Sequence, residues 1–546
     1  MLCLWAFQPT YTWTKIVPYQ SSGGRRNNVQ LGVGRSLWAG APPPAISERA
    51  LDGIPGCLAW VALLFSIAAA IAYPRALLLI AALLGFYTAV RFLFAGIANM
   101  RGLRLIAQWE HMDWRECYDH DASPDALAWD DVHHIVIIPN YKEPVEILSR
   151  TLDNLAAQYE AAKRLTVVLA MEAAEEGCVE KAESLVAAYR GCFANLFFTV
   201  HPRGLPGEMQ CKSANQAWAA RWVKRRLVDQ EGYPLDHILV TTQDADTLWH
   251  KNHFYALTYL FATHQERHLR FWQGPIRYHT NIWEINPLLR IVNAYSGAFE
   301  LAYLAAPWWI PMPMSSYALS LRLLDASGYW DPDVIADDWH MFIKAYFSRE
   351  GRVKLERVFL PFMGTAVTGN TWWEAIKNRY LQSLRHAWGS KEVGYIVAKM
   401  LEYPEIEFKT SFQLLFRVAH DILLAGAGWV ILTVGSQLPV LLNPQIAPPV
   451  ADIIQNPALA LEYPTFILLS IAGALVVILG IIFWYQDVIV RPPRTTPSSL
   501  KERLLTLLSF PLLPVLTLLV VALPTLQAQT RLLVGIPLRF RVSRKV

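Results

Sequence analysis

Long, nearly charge-free apolar segments lie towards both ends of this 546-residue chain, and they constrain its fold more than any other feature. A membrane-spanning helix needs about 20 mostly apolar residues, because each residue advances about 1.5 Å through a hydrocarbon layer of about 30 Å. Buried core helices are rarely so long and so free of charge. The sequence therefore predicts membrane spans at Leu58 to Tyr73, Ala76 to Ala98, Phe412 to Leu442, Phe466 to Val490 and Leu504 to Leu526. Pro511 and Pro514 leave open whether the last of these is broken or re-entrant.

Basic residues indicate on which side of the membrane each connection lies. They precede the first span, follow the second and lie between the fourth and fifth, whereas the connection from Asn443 to Pro464 has none. The residues are Arg25, Arg26, Arg35, Arg49, Arg101, Arg104, Arg491, Arg494, Lys501 and Arg503. We therefore expect an integral protein of a bacterial plasma membrane, with its N-terminus and middle region in the cytoplasm. One conflict remains, because five complete spans would put the basic tail outside.

The composition excludes several classes of protein. A net charge of +4 is small for this length and gives no reason to expect a nucleic-acid partner. The six cysteines have no C-x-x-C spacing, which argues against a disulfide framework or a structural zinc site and suits a reducing compartment. Hydrophobic residues make up 53% of the chain, but the excess lies in the apolar segments and leaves a middle of ordinary polarity. The sequence therefore predicts a separate folded domain between the apolar segments.

Short apolar runs alternate with helical stretches between Val132 and Leu360. Unalternated Ile, Val and Leu runs between helices are typical of a parallel sheet that is covered on both faces. The predicted strands are His134 to Pro139, Leu165 to Ala170, Asn195 to Val200 and His237 to Thr242, with helices at Val145 to Tyr159 and Ser213 to Val228. Ligands bind beyond the carboxyl ends of strands in such sheets, so the polar residues there are the candidate site.

Three of these strands end in polar residues that suit a nucleotide site. The first leads into Pro139-Asn-Tyr-Lys-Glu-Pro144, which alone would be read as a turn. The second is followed by Met171 and Glu172, and the fourth leads into Asp244 and Asp246. Two carboxylates so close together after a buried strand are costly unless a cation neutralises them. A hard divalent ion that bridges them to a diphosphate would do so.

Two further motifs follow. Asp337 and Asp338 precede a helix from Met341 to Ser348, where acids also simply complement the helix dipole. Gln382 and Arg385 lie in an amphipathic stretch that the pattern alone assigns to the membrane interface.

In this order, the motifs resemble those of the family-2 glycosyltransferases, in the membrane branch that includes cellulose and hyaluronan synthases. The matching elements are Pro-x-Tyr-x-Glu-Pro, the acid after the second strand, Lys212-x-x-Asn215, Asp-x-Asp, the acidic pair and Gln-x-x-Arg. The resemblance implies an α/β fold of the GT-A type, a mostly parallel sheet covered by helices, inserted between the transmembrane helices. It also implies transfer of a sugar from a nucleotide sugar with inversion at the anomeric carbon. A uridine diphosphate sugar is the donor that we expect first.

The resemblance implies that Tyr141 and Glu143 hold the nucleoside and that Glu172 meets the base edge. Lys212 would lie near the diphosphate. Asp244 would contact the ribose-diphosphate and the metal, which would be Mn²⁺ or Mg²⁺. Asp246 would be the better metal ligand of the two. His250 and His253 follow this motif and offer a further ligand, although packing explains that pair better.

For the reaction itself, the resemblance implies that Asp338, beside Asp337, is the catalytic base. Gln382 and Arg385 would serve the diphosphate and the acceptor. The family has a Trp after this Arg, where this chain has His386, with Trp388 two residues later. The resemblance therefore leaves open whether the acceptor is a glycan or a lipid. It also leaves open whether the chain is extended repeatedly and whether the product is exported.

The predicted organisation comprises 1–53, a cytoplasmic segment; 54–100, a transmembrane hairpin; 101–131, a linker; 132–365, the catalytic domain; 366–411, an interfacial segment; 412–526, two or three transmembrane helices; and 527–546, a basic tail. Two alternatives stay open. One is a single transfer to a polyprenyl-phosphate lipid. The other is a catalytically silent membrane scaffold or transport-assembly protein, which would not need several converging carboxylates.

Overall fold

The structure is a computed structural model that describes residues 47–446, 450–494 and 497–538. The predicted cytoplasmic segment before residue 47, with Arg25, Arg26 and Arg35, lies outside the described residues. So do the basic residues of the tail from position 539 onwards.

The middle of the chain folds around a central seven-stranded sheet whose strand order is β3-β2-β1-β4-β8-β6-β9. A second, three-stranded sheet has the order β5-β10-β7. The strands are β1 His133–Pro139, β2 Leu165–Glu172, β3 Asn195–His201, β4 Ile238–Thr242, β5 Leu248–Trp249, β6 Arg270–Gln273, β7 Ile276–Arg277, β8 Tyr317–Ser320, β9 Lys354–Arg357 and β10 Phe362–Met363. In the central sheet only β8 runs antiparallel to its neighbours, β4 and β6. The four strands that the sequence predicts are all present.

Helices surround the sheet and continue into the apolar ends of the chain. They are α1 Glu48–Asp52, α2 Ile54–Ala72, α3 Pro74–Trp109, α4 Trp114–Asp121, α5 Val145–Ala156, α6 Ala161–Arg164, α7 Cys178–Ala188, α8 Lys212–Val223, α9 His253–Thr263, α10 Pro287–Ala305, α11 Leu321–Ala326, α12 Asp337–Ser348, α13 Trp372–Ala387, α14 Lys391–Glu402, α15 Phe408–Leu423, α16 Leu438–Leu442, α17 Val450–Gln455, α18 Pro464–Val488, α19 Leu500–Thr517 and α20 Leu523–Val534. Short 3₁₀ and π turns link several of them, including a π turn at Leu518–Ala522 that joins α19 to α20.

Both faces of the sheet are buried. Along β1, Ile135 and Ile137 pack into one hydrophobic cluster, whereas Val136 and Ile138 pack into the cluster on the opposite face. This two-sided burial explains why the strands read as continuous apolar runs rather than as alternating ones. The predicted mixed α/β architecture with a central sheet and flanking helices is confirmed.

Among the described residues, four helices are long and apolar enough to cross a membrane, namely Ile54–Ala72, Pro74–Trp109, Pro464–Val488 and Leu500–Val534. A fifth candidate, Phe408–Leu442, is bent by 42° at a short break. The predicted break at Pro74 is present, because α2 ends at Ala72 and proline opens α3. The last predicted span remains one helical element despite Pro511 and Pro514 inside it. The bend therefore lies in the third predicted span rather than in the fifth.

Helix α10 connects the sheet domain to the apolar helices. It packs against α3, α18 and α19, and its N-terminus is capped by the Asn286 side chain, which accepts from the Leu288 amide. Helix α13 packs against α20 in the same layer. The aromatic stretch from Trp283 to Trp309 thus contains a helix that lies between the sheet and the candidate spans.

Candidate functional site

A cleft of about 640 Å³ opens beyond the carboxyl ends of β1, β2 and β4. It is lined by residues from most of the motifs that the sequence singles out. The predicted site residues along its walls are Tyr141, Glu143, Glu172, Lys212, Asp244, Asp337, Asp338, Arg385 and His386. Asn215 and Gly389, from the Lys212 motif and from the segment after Arg385, line it as well. Segments far apart in sequence therefore form one cavity.

Lys212, at the start of α8, links the two acidic motifs. Its Nζ donates to Asp244 Oδ1 at 2.7 Å and to the Ser315 carbonyl oxygen at 3.0 Å, and it lies 4.0 Å from Asp337 Oδ2. Burial lowers the pKa of Lys212, but the carboxylates of Asp244 and Asp337 raise it by more, so the amine stays charged. The cleft therefore holds a permanent cation among several carboxylates, which is a suitable partner for an anionic ligand.

Asp337 and Asp338 open α12 but have different surroundings. Asp337 is buried, and its Oδ2 accepts from Gln216 Nε2 at 2.7 Å. Asp338 accepts from the amides of Ser315 at 3.0 Å and Trp339 at 2.9 Å. Burial, reinforced by the negative charge of Asp337, raises the pKa of Asp338 to about 6. A carboxylate with this pKa is suited to accept a proton near neutral pH.

Ser315 joins the acidic motifs, and the sequence analysis missed it. Its amide donates to Asp338, its Oγ donates to Asp244 Oδ2 at 2.9 Å, and its carbonyl accepts from Lys212. The residue has φ 61°, a left-handed conformation that is uncommon for residues other than glycine. Such strained positions concentrate at functional sites. No local sequence pattern marks this serine, because its partners come from other parts of the chain.

The opposite end of the cleft is built at the ends of β2 and β3. Glu172 is 4% exposed and accepts from His201 Nδ1 at 3.2 Å, while His201 Nε2 pairs with Glu208 at 2.8 Å. Burial lowers the pKa of His201, but Glu172 and Glu208 raise it by more, so the pKa lies above its usual value. The Glu172 carboxylate is thus held in a fixed orientation at the cleft wall.

The two acids of the Asp-x-Asp motif are placed differently. Asp244 lines the cleft, whereas Asp246 is 2% exposed and accepts from the Thr365 amide at 2.9 Å. Within the described residues no group of three or more His, Cys, Asp or Glu side chains forms a ready-made metal site. Hard cations of the Mg²⁺ type commonly bind through one or two carboxylates together with substrate phosphates. Asp244, with Asp246 behind it, fits that donor set.

The histidines after this motif pack rather than face the cleft. His253 is 2% exposed and stacks on Trp249 with ring centroids 3.9 Å apart. His250 Nδ1 accepts from the Asn252 amide at 3.2 Å. Both observations agree with the packing interpretation.

The Gln-x-x-Arg segment contributes unevenly to the cleft. Gln382 is 9% exposed, accepts from Arg379 Nη1 at 2.8 Å and is not part of the cleft wall, whereas Arg385 and His386 are. The His386 side chain is open to the cleft, but the surrounding protein desolvates it. This desolvation, together with the charge of Arg385, lowers the pKa of His386. Trp388 begins a 3₁₀ turn and lies outside the cleft wall.

Glu300 and Tyr278 also line the cleft, and the sequence analysis did not single them out. The Tyr278 hydroxyl donates to Glu300 Oε1 at 3.0 Å. Burial raises the pKa of Glu300 to about 8, although Tyr278 and Arg379 act in the opposite direction. The protonated carboxyl is therefore the main form at pH 7, and it can donate a hydrogen bond to a ligand. Glu300 lies within an apolar helical stretch, so its spacing along the chain does not indicate a site.

No protein-family model matches the chain, and no curated protein matches it. Among solved structures it is similar to the mannosyltransferase PcManGT from Pyrobaculum calidifontis in complex with GDP-Man and Mn²⁺, at 16% identity and a TM-score of 0.39 over 74% of this chain and 99% of that one. It is also similar to residues 1–349 of S. aureus TarS in complex with UDP-GlcNAc (11% identity, TM-score 0.29, 56% and 87% covered). A third similar structure is GalNAc-T7 with UDP, GalNAc and Mn²⁺, at 10% identity and a TM-score of 0.31 over 53% of this chain and 57% of that one. Similarities this low carry no argument about function.

Proposed function

We propose that this protein is a membrane-integrated glycosyltransferase that transfers a sugar from a nucleotide sugar, with inversion, to a glycan or lipid acceptor. The observation that carries the proposal is the shared cleft. Acids, a buried lysine and an arginine from widely separated motifs line one cavity beyond the carboxyl ends of the central strands. This is the position at which open α/β sheets bind nucleotides. A GT-A type of domain is part of the proposal.

In the proposed reaction, the wall around Tyr141, Glu143 and Glu172 binds the nucleoside. Lys212 and Arg385 face the diphosphate as fixed cations. Asp338 takes the proton from the acceptor hydroxyl, whose oxygen forms a bond to the anomeric carbon as the bond to the diphosphate breaks. The diphosphate leaves with the electron pair. Attack from the face opposite the leaving group inverts the configuration in one displacement.

A divalent cation, Mn²⁺ or Mg²⁺, would neutralise charge on the leaving diphosphate, an effect worth several kcal/mol. Asp244, supported by Asp246, would hold it together with the phosphate oxygens. Lys212 already pairs with Asp244 Oδ1 and lies within 4.0 Å of Asp337, so it is positioned to share the diphosphate with the metal.

Donor hydrolysis tests the proposal. The protein, purified in detergent, is incubated with a panel of uridine and guanosine diphosphate sugars and with Mn²⁺ or Mg²⁺, and release of the nucleoside diphosphate is measured. We expect release from at least one donor, and loss of release in Asp244→Asn. The surface variant Asp236→Asn, whose carboxylate pairs with Arg322 away from the cleft, is the matched control. Absence of both hydrolysis and nucleotide binding would favour the silent scaffold.

A further inference from the structure

Two arginines converge on one carboxylate between the apolar helices. Arg91 Nη2 donates to Asp421 Oδ1 at 3.2 Å, and Arg417 Nη1 donates to Asp421 Oδ2. His420 Nδ1 lies 3.0 Å from the same Oδ1. We call Arg91, Arg417, His420 and Asp421 the arginine cluster. Because both guanidinium groups are always charged and Asp421 is the only carboxylate that contacts them within the described residues, the cluster carries an excess positive charge.

A second arginine is not needed merely to join the helices. One Arg–Asp pair already links α3 to α15, and an extra charge among apolar helices is costly. Ionisable residues in candidate membrane helices therefore indicate functional sites unless their charges balance. The positive charge of the arginine cluster is suited to binding an anionic ligand.

Both guanidinium groups retain donors for such a ligand. The hydrogen bonds of Arg91 use Nη2 alone, to Asp421 and to the Tyr303 hydroxyl at 3.0 Å. Those of Arg417 use Nη1 and Nε, the latter to the Ile310 carbonyl at 3.1 Å. The remaining nitrogens have no hydrogen-bond partner within the described residues, and 19% of the Arg91 side chain and 5% of the Arg417 side chain are exposed. Arginine donors in this planar arrangement match the oxygens of a phosphate.

The depth of the cluster fits a lipid head group. Helix α3 has 36 residues, about 54 Å at 1.5 Å per residue, and so exceeds a hydrocarbon layer of about 30 Å. Arg91 lies about 25 Å along the axis from Pro74. If the apolar layer begins near Pro74, the Arg91 backbone lies about 5 Å inside its far edge, and the long arginine side chain can extend from there to the lipid phosphates. Tyr87, one turn earlier, contacts His420 and is 43% exposed on the outer surface of the helices.

The cluster also reaches the cleft. The guanidinium carbon of Arg417 lies 5.8 Å from the centre of the Trp339 ring and 4.9 Å from that of Trp309. Trp339 lines the cleft and directly follows Asp338. A phosphate held by Arg417 would therefore lie between the lipid-facing surface and the proposed catalytic base.

We propose that the arginine cluster binds the phosphate of a lipid and thereby presents a lipid-phosphate acceptor to the cleft. The role of the bound lipid as an acceptor rests on the proposed glycosyltransferase function, whereas the binding of its phosphate does not. Arg91 and Arg417 bind the phosphate, and the lipid tail extends along the outer surface of the helices beside Tyr87. The proposal selects the lipid alternative for the acceptor.

Binding is measured by native mass spectrometry of the full chain in detergent, with a polyprenyl phosphate and the polyprenol of the same length as probes. The wild-type protein should bind the polyprenyl phosphate at least about tenfold more tightly than the polyprenol, because only the phosphate forms hydrogen bonds as a charged group with the arginines. Arg91→Gln and Arg417→Gln should bring the two affinities within about threefold of each other. Arg101→Gln, an exposed arginine on the same helix, is the control and should keep the wild-type ratio.

Equal binding of phosphate and alcohol by the wild-type protein would overturn the proposal, as would an unchanged ratio in folded Arg91 and Arg417 variants. If Arg91→Gln does not fold, Arg91→Lys keeps the charge beside Asp421 but removes the planar donors, and its ratio should fall below the wild-type value. Inorganic phosphate that binds as tightly as the lipid would identify a soluble anion and reject the lipid. Donor hydrolysis by the wild-type protein is scored separately. Hydrolysis without phosphate preference rejects only this inference, whereas preference without hydrolysis rejects only the proposed enzyme.

Discussion

Asp338 combines three properties of a general base, namely position, orientation and pKa. Two backbone amides orient its carboxylate, one of them from Ser315 in its left-handed conformation. Asp337 beside it is buried and bonded to Gln216. We therefore expect the two adjacent acids to have separable roles, with Asp337 organising the site and Asp338 acting on the substrate.

Asp338→Asn should lower sugar transfer by about 10² or more while leaving nucleotide affinity nearly intact, because only proton acceptance is removed. Transfer rates and nucleotide binding are measured on the same preparation. Asp337→Asn is the paired variant. Normal turnover in Asp338→Asn together with a loss in Asp337→Asn would move the role of base by one residue.

We expect the pKa of Asp338 to set the acidic side of the pH profile. The base must be deprotonated, and burial together with Asp337 raises its pKa from 3.8 to about 6. We therefore expect kcat/KM to fall tenfold per pH unit below about pH 6. Activity that persists unchanged to pH 5 would contradict this assignment. A limb near pH 8 that disappears in Glu300→Gln would instead identify Glu300 as the group that titrates.

The Asp-x-Asp acids should control the metal requirement. Asp244→Asn should remove metal-dependent activity, and Asp246→Asn should raise the Mn²⁺ concentration required for half-maximal activity by about tenfold or more. Both effects are read from activity against metal concentration, with Asp236→Asn as control. Normal turnover of Asp246→Asn at low metal would show that this acid, 2% exposed and bonded to the Thr365 amide, is structural.

At the scale of elements, we expect the end of α13 to govern how the acceptor is held. His386 lies in its last turn and lines the cleft, whereas Trp388 begins the following 3₁₀ turn and does not. An indole stacks on a sugar ring over a larger apolar face than an imidazole offers. The cleft therefore lacks at this position the aromatic platform that the resemblance to the synthases implies.

We expect single or short additions rather than a long polymer. His386→Ala should raise the KM for the acceptor, while Trp388→Ala should leave it within about twofold, because loss of a side chain that does not touch the ligand has little effect. Products from one donor and acceptor preparation are sized by mass spectrometry. A ladder of many additions per acceptor would show processive synthesis and contradict the expectation.

At the scale of the whole molecule, the sheet domain and the apolar helices are joined by α10 and α13. Helix α10 contributes Glu300 to the cleft and packs on α3, α18 and α19. Arg379 of α13 links that helix to Ser296 of α10 at 3.3 Å. The cleft and the candidate spans thus share structural elements, which suits an enzyme whose acceptor comes from the membrane.

The sheet domain and the connection after the bent span should lie on opposite sides of the membrane. Single cysteines at exposed positions, Gln230→Cys and Asp452→Cys, are introduced into a variant without the native cysteines. An impermeant thiol reagent on intact cells should label position 452 and spare position 230 until the cells are opened. Labelling of both positions in intact cells would contradict the topology.

The sequence by itself determined what depends on neighbours along the chain. The apolar segments, the break at Pro74 and the four central strands could be read from runs of residue types, since length and periodicity are local properties. The resemblance likewise identified most of the acids and cations that line the cleft, because they follow strands or begin helices. Their proposed roles remain predictions.

The tertiary structure alone decided what depends on contacts between distant residues. Ser315 joins Asp244 to Asp338 only after the loop before β8 folds against α8 and α12. The contact between Arg91 and Asp421 spans 330 positions, and the sequence of neither segment shows that these two residues meet. The burial of Asp246 and the exclusion of Trp388 from the cleft likewise depend on neighbouring elements, because a local motif specifies residue types but not which surface each side chain meets.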